Sequence, residues 1–465
     1  MTRNTTDCTK RIPARSARVK IALAVLLILT TLSAAACSPK PKPVELADSD
    51  LEARAETLIT LLSDSEDKSA DVVEMFSSQM ARSVPTETVK ELWPGLVSQF
   101  GEYKGQRSVR VTGEAGYKTV YVTCAFETGN VNCKVVFDKA GLVAGLWIVP
   151  IESETSEYTP PEYADARSFT ETQVTIGQGE WQLPGLLAVP EGDGPFPAVV
   201  LVHGSGPNDM DETMGPNKPF KDLAGGLASQ GIAVLRYEKR TYEHQARMTQ
   251  LTPSITVHEE TIEDAALAVS LLRSDACIDP DRVFVLGHSL GGMLSPRIAA
   301  ESQPAGLVML AANARSLPDL VEEQLNYLAT VDGTVSAEEA SQIASVKAAC
   351  DKIRAGRLEK SEVVLGAGSA YWADLMAYDP VAMAQSMELP MLFLQGERDY
   401  QVTMTDFGLW QESLKDSSDR TFKSYPTLNH LFIAGTGKSV PAEYEVPGHV
   451  DEEVVDDIAQ WIKNQ

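Results

Sequence analysis

Beyond about residue 165 the chain alternates short, almost unbroken apolar runs with stretches whose apolar positions recur every three or four residues. The runs are Pro197 to His203, Ile232 to Tyr237, Val283 to Leu286, Leu307 to Leu310 and Met391 to Leu394. Strands that are apolar along their whole length are those covered on both faces, as in a parallel sheet. Thr261 to Arg273 and Gly292 to Ala300 have helical spacing, and Val174 with Leu183 to Val189 reads as a leading hairpin. The alternation predicts an α/β domain over 166–465, a mostly parallel sheet with helices on both faces. The rhythm breaks at 313–380, where partly amphipathic helical sequence (Leu317, Leu320, Val321, Leu325, Leu328, then Ile343 to Ile353, then Tyr371-Trp372) separates two strands. That is where a lid over an apolar pocket would lie, and a purely structural insertion is the plainer alternative.

The front of the chain has a different pattern. From Leu51 to Tyr103 apolar residues fall at helical spacing (Leu58, Leu61, Leu62; Val72, Val73, Met75, Phe76; Val89, Leu92, Leu96). After Gly105 the period becomes two, through Val109, Val111, Val120, Val122, Cys124, Phe126, Val131, Cys133, Val135 and Phe137. Helices followed by a strand meander predict a separate small α+β domain over 48–150, and the acidic, Pro-bearing 151–165 reads as a linker. A hairpin centred on Thr128-Gly129 would pair Cys124 directly with Cys133, a candidate disulfide in an oxidising compartment or else two buried thiols. Trp93 and its aromatic neighbours read as core.

Residues 1–36 carry Arg3, Lys10, Arg11, Arg15, Arg18 and Lys20, then an apolar run from Ile21 to Leu29, then small residues to Ala36. A basic segment, an apolar segment and small residues in that order form an export signal, and the apolar part is short for a membrane span. Ala34-Ala35-Ala36-Cys37-Ser38 resembles the lipobox of bacterial lipoproteins, which implies cleavage before Cys37 and acylation of its sulfur. Ala34 stands where that motif usually has Leu, so a plain signal-peptidase cut at the same place stays open. Pro39 to Pro43 then makes 37–47 a stiff tether. The full chain of 465 residues has a net charge of −25, and removal of the signal leaves about −30. Such a surface repels phosphate backbones, so nucleic acid is excluded as a partner, and membrane attachment must come from the lipid or an anchor.

Gly287-His288-Ser289-Leu290-Gly291-Gly292 follows an apolar strand and opens a helix. A nucleophilic serine needs that sharp strand-to-helix turn, which exposes its Oγ and puts the helix N-terminus behind a developing oxyanion. A base must take the serine proton, and an acid must orient the base. In folds with this turn the acid and then the His follow the serine in sequence. Asp399 lies just past the strand Met391 to Leu394, with Glu397 as the reserve acid, and His430 lies in a loop after a further strand. His203, His244, His258 and His288 do not follow the serine, and His449 opens the closing helix. His203-Gly204-Ser205-Gly206-Pro207 follows a strand at the place that supplies one oxyanion N–H, so the donors are Leu290 and Ser205. The loop Asp209-Met210-Asp211-Glu212 reads as a solvated acidic loop that could also meet a cationic substrate or pair with Arg236, Lys239 and Arg240. Cys277 and Cys350 show no metal-ligand pattern and read as buried thiols.

These motifs resemble the α/β-hydrolase superfamily across roughly Phe169 to Gln465. More narrowly, His203-Gly-Ser-Gly-Pro, Gly215-Pro-Asn-Lys-Pro-Phe, Leu235-Arg-Tyr-Glu-Lys-Arg and Gly287-His-Ser-Leu-Gly-Gly-Met look like bacterial carboxylesterases of the serine-aminopeptidase-like group. Trp93-Pro94-Gly95-Leu96 and Ala144-Gly145-Leu146-Trp147-Ile148 resemble a small bacterial domain of unknown function that precedes hydrolases. The resemblance implies an α/β-hydrolase fold, hydrolysis of a small-molecule carboxylic ester through an acyl-enzyme, and no cofactor or metal. Ser289 would be the nucleophile, His430 the base and Asp399 the orienting acid. An aminopeptidase, thioesterase or acyltransferase shares that machinery, and a non-catalytic ligand-binding lipoprotein is the rival outside catalysis. A haloalkane dehalogenase is disfavoured because its nucleophile is Asp.

Overall fold

The computed structural model describes residues 47–84, 86–114, 117–127, 129–150, 158–331 and 333–465. The expected export signal, residues 1–36, and Cys37 lie outside the described residues.

Four helices, α1 (Asp48–Leu62), α2 (Ser69–Glu74), α3 (Ser78–Ser83) and α4 (Thr86–Phe100), precede an antiparallel meander of β1 (Tyr103–Glu114), β2 (Tyr117–Phe126), β3 (Asn130–Phe137) and β4 (Val143–Pro150). Leu58, Ile59, Val72 and Trp93 from the helices pack on Val120, Val122, Cys124, Cys133 and Val135, a core made within this unit. Trp93 is buried edge-on to Tyr103, with ring centroids 5.0 Å apart, so it is core as its spacing predicts.

The hairpin register differs from the expected one. Phe126 N–H donates to Gly129 O, so Cys124 pairs with Val131 and Cys133 with Val122. A slip of two keeps both cysteines on one face but makes them diagonal neighbours. Their Sγ atoms are 3.7 Å apart and both are free thiols, where a disulfide requires about 2.05 Å.

The second unit is an eight-stranded sheet of β5 (Phe169–Ile176), β6 (Leu183–Pro190), β7 (Phe196–Val202), β8 (Ala233–Tyr237), β9 (Ile278–His288), β10 (Leu307–Leu310), β13 (Met391–Gly396) and β14 (Arg420–Tyr425). The short pair β11 (Val363–Val364) and β12 (Ala367–Gly368) lies in the insertion. The order is β14-β13-β10-β9-β7-β8-β6-β5, parallel from β14 to β8, with β6 and β5 antiparallel at one edge.

Side-chain alternation divides the strands between two cores. Val200, Val202, Leu235, Val285, Met309 and Phe393 face α8 (Glu263–Ser274), α9 (Leu290–Ser302) and α14 (Met404–Leu414). Val199, Leu201, Val234, Phe284, Leu286, Val308 and Leu394 face α5 (Pro219–Ser229) and the closing α15 (Glu452–Asn464). Between β8 and α8 lie the short α6 (Arg240–Glu243) and α7 (Gln245–Leu251). The insertion after β10 holds α10 (Leu317–Thr330), α11 (Ala337–Arg354), α12 (Ser369–Met376) and α13 (Pro380–Gln385). Tyr158 and Tyr163 bond to Asp222 and to the Val450 carbonyl, so the end of the expected linker is pinned to this unit. Among the described residues no helix is long and apolar enough to cross a membrane. Cys350 is buried as expected; Cys277 is exposed, because it lies in the turn between α8 and β9.

Candidate active site

β9 ends at His288 and α9 begins at Leu290, so Ser289 alone makes the reversal, with φ 52° and ψ −117°. Positive φ at a non-glycine residue is strained, and it is held here because its surroundings leave no alternative. A Cβ at Gly287 would lie 2.3 Å from Gly291 O, and one at Gly291 would lie 2.4 Å from Val202 O. The Ser289 N–H donates to Leu310 O at 2.9 Å, which fixes the turn to the neighbouring strand. Leu290 opens the helix, so its N–H has no intrahelical acceptor and stands at the positive end of the dipole.

Asp399 and His430 come from the loops after β13 and β14. His430 Nδ1 lies 2.6 Å from Asp399 Oδ2, and both residues are buried. The other Asp399 oxygen accepts from the N–H groups of Gln401 (2.7 Å) and Val402 (3.0 Å). Gln395 Nε2 donates to Oδ2 at 3.2 Å. The acid is therefore aimed by backbone before it meets the imidazole. His288 Nε2 donates to the His430 carbonyl at 2.9 Å and their ring centroids are 4.6 Å apart, so the residue beside Ser289 holds the His430 loop. Glu397, the reserve acid, bonds to Ser424 instead, and His449 pairs with Asp222. Gly204, next to Ser205, is packed against Ser289: a Cβ there would lie 3.2 Å from Ser289 Cβ.

Residues 194–437 match a family model described as serine aminopeptidase, S33, and residues 55–146 match one described as a protein of unknown function (DUF3887). Esterase EstD of Thermotoga maritima is 42% identical over 388 residues, 83% of this chain and 90% of that one. The chain belongs to the α/β-hydrolase carboxylesterase family. An esterase from Pyrococcus furiosus superposes with a TM-score of 0.41 at 16% identity, covering 66% of this chain and 94% of that one. One from Pyrobaculum calidifontis gives 0.42 at 19%, covering 63% and 85%.

Around these elements lies a charged layer whose pairings follow the expected ones only in part. The acidic loop is not solvated, since Asp211 and Glu212 are both buried. Glu212, at φ 51°, accepts from the Gly204 N–H at 2.7 Å and forms an ion pair with His288 Nδ1 at 3.0 Å. Burial opposes both charges, yet each charge more than offsets it for the other, so His288 titrates above its ordinary value and Glu212 below. Asp211 pairs with Arg236 and, at 2.9 Å, with Lys218.

Only one of the three expected cation partners is therefore correct. Lys239 pairs with Glu260 at 2.9 Å, and Arg240 pairs with Asp264 and Glu263, because α8 and the turn before it come closer than the acidic loop does. His203 is packed between Phe220 (tilted, 37°) and Tyr237 (edge-on, 87°), and burial pushes its titration down to about 4, so it is neutral and structural.

The insertion reaches the acid turn. Gln324 Nε2 of α10 donates to Gln401 O at 2.9 Å, and Tyr327 stacks on Tyr400, with centroids 5.2 Å apart. Beyond α12, the Tyr378 hydroxyl donates to Met293 O in α9 at 2.9 Å. Among the described residues no group of three or more His, Cys, Asp or Glu side chains could hold a metal ion.

Proposed function

We propose that this protein is a serine esterase that hydrolyses small carboxylic esters through an acyl-enzyme. Ser289 attacks the carbonyl, His430 takes its proton and returns it to the leaving alkoxide, and Asp399 orients and stabilises the imidazolium. The N–H groups of Leu290 and Ser205 receive the oxyanion, and water, activated by His430, releases the acid. The observation that carries this reading is the 2.6 Å Asp399–His430 contact, whose loop is bonded to the residue preceding a strained Ser289.

The description of the matching family model makes an aminopeptidase the second reading. The charge arrangement favours esters. Recognition of a free α-ammonium needs a carboxylate without a cation partner; in the acidic loop Asp211 is paired with Arg236 and Glu212 with His288, and Asp209 is taken up by the Thr213 hydroxyl and two backbone N–H groups. We further propose that residues 1–36 direct export and that Cys37 carries the lipid that holds the protein at the outer face of the cell membrane.

The test is turnover of p-nitrophenyl esters of increasing chain length by the full-length protein in detergent, beside Ser289→Ala. Wild type should turn over short or medium chains, and S289A should lose roughly four or more orders of magnitude in kcat. Equal rates in the two proteins would remove Ser289 from the mechanism, and hydrolysis of amino-acid amides alone would favour the aminopeptidase.

A further inference from the structure

Lys239, two residues past β8 and directly before α6, has its ammonium almost entirely buried beside a carboxylate that is also hidden, Glu260 of the turn before α8. A buried ion pair is weak support for a fold, because desolvating two charges costs about as much as their attraction returns, and apolar side chains of the same volume do as well or better. The ammonium has a further contact. Its Nζ donates to the Gly204 carbonyl at 2.8 Å.

That carbonyl belongs to the same planar peptide unit as the Ser205 N–H, and in a trans peptide the two point in opposite directions. A cation on the carbonyl therefore does two things to the N–H across the plane. It sets the direction in which that N–H points, and it draws electron density toward the oxygen, so the N–H becomes a stronger donor, as in any polarised chain of hydrogen bonds. The N–H on the near side of Gly204 is held at 2.7 Å by Glu212, so both flanking peptides are anchored while the residue itself abuts Ser289. Asn208 Nδ2 also reaches the Gly204 carbonyl, at 3.3 Å, but it is spread over the carbonyls of Ser205 and Gly206 as well. The Glu260 counter-ion is itself covered by the insertion: the Tyr371 phenol of α12 faces its carboxylate, and burial followed by that charge raises the phenol's titration.

We infer that Lys239 is a positioning residue for the oxyanion hole, its buried ammonium gripping the Gly204 carbonyl so that the Ser205 N–H is aimed and polarised toward the charge that develops on the substrate carbonyl. The inference rests on the esterase reading and on Ser205 as a donor. It assigns to the Lys239–Gly204 contact a share of transition-state stabilisation and none of ground-state binding, since the interaction strengthens only when the carbonyl oxygen becomes an anion.

The experiment compares wild type, Lys239→Met and Glu260→Gln in the full-length protein. Active sites are counted by the burst with an organophosphonate. For each variant kcat and KM are measured with p-nitrophenyl acetate, together with inhibition by a methyl trifluoromethyl ketone, whose adduct with a serine carries the oxyanion. K239M should lose about 10- to 100-fold in kcat per titrated site, with inhibitor affinity falling by the same factor and KM moving less than about threefold. E260Q keeps the ammonium on the carbonyl, and its inhibition constant should stay within about threefold of wild type. Unchanged kcat per titrated site in K239M would overturn the assignment. So would an E260Q protein whose affinity for the ketone falls tenfold or more below wild type, because packing of the pair would then be what matters; this second arm is read against wild type and still decides if K239M does not fold. Inert wild-type protein would overturn the esterase reading itself, a result distinct from active wild type with an unaffected K239M.

Discussion

The Glu212–His288 pair shows how one side chain can tie three segments together. His288 bonds to the His430 carbonyl on one side and meets Glu212 on the other, and Glu212 holds the Gly204 N–H. A His with a raised titration contributes stability at low pH and loses it as pH climbs through the raised value; a Glu with a lowered one contributes above the ordinary carboxylate range and loses it as pH falls through the lowered value. The pair is thus fully formed from just above pH ~4.3 to beyond pH ~6.5. Glu212→Gln should lower the unfolding free energy by about 3 kcal/mol near pH 6, and the gap should narrow as pH rises past the wild-type His288 titration. Denaturant unfolding at a series of pH values measures this, and a gap constant from pH 5 to pH 9 would contradict it. At this scale the turn at Ser289 and the Asp399–His430 contact were legible because each residue sits in a short motif at the end of an element. Glu212 and Lys239 were not, because burial and partner choice depend on loops that are distant in sequence.

The strand-to-helix turn after β9 works because backbone approaches backbone where a side chain would stand. Gly291→Ala would place a methyl 2.4 Å from the Val202 carbonyl and 2.6 Å from that of His203, neither of which can rotate away. We expect G291A to cost about 3 kcal/mol or more, and to slow labelling of Ser289 by an organophosphonate beyond what the unfolded fraction explains. Thermal unfolding and the labelling rate check the two parts. Most strands of the meander and of the eight-stranded sheet, with α8 and α9, followed from periodicity, since apolar runs and turn residues encode them locally; β14, a polar edge strand, and the short β11–β12 pair did not. The β2–β3 register did not: a slip of two preserves the face of every side chain, so the pattern cannot tell the two registers apart. The insertion was visible as helical sequence, but its contacts with Gln401 and Tyr400 depend on how its helices return over the sheet.

Across the whole molecule the front core, between α1, α4 and the meander, is built separately from the two cores on the opposite faces of the eight-stranded sheet. Val122→Ala, at a fully buried position of the first core, should lower the stability of that unit by about 2 kcal/mol and leave ester turnover at 25 °C unchanged. Calorimetry beside the ester assay tests this, and a proportionate loss of turnover would mean the hydrolase sheet depends on the front core. Sequence alone determined what is encoded within a few residues or in their order: a meander domain followed by an α/β-hydrolase domain, with a strand-to-helix turn at Ser289 and then Asp399 and His430 at the ends of later strands. Only the tertiary structure decided which charges meet. Arg236 takes Asp211, Lys239 takes Glu260 and the Gly204 carbonyl, and Glu212 takes His288, because an ion pair in a dry interior is set by which loops the sheet brings within about 3 Å and by the cost of leaving any charge there alone.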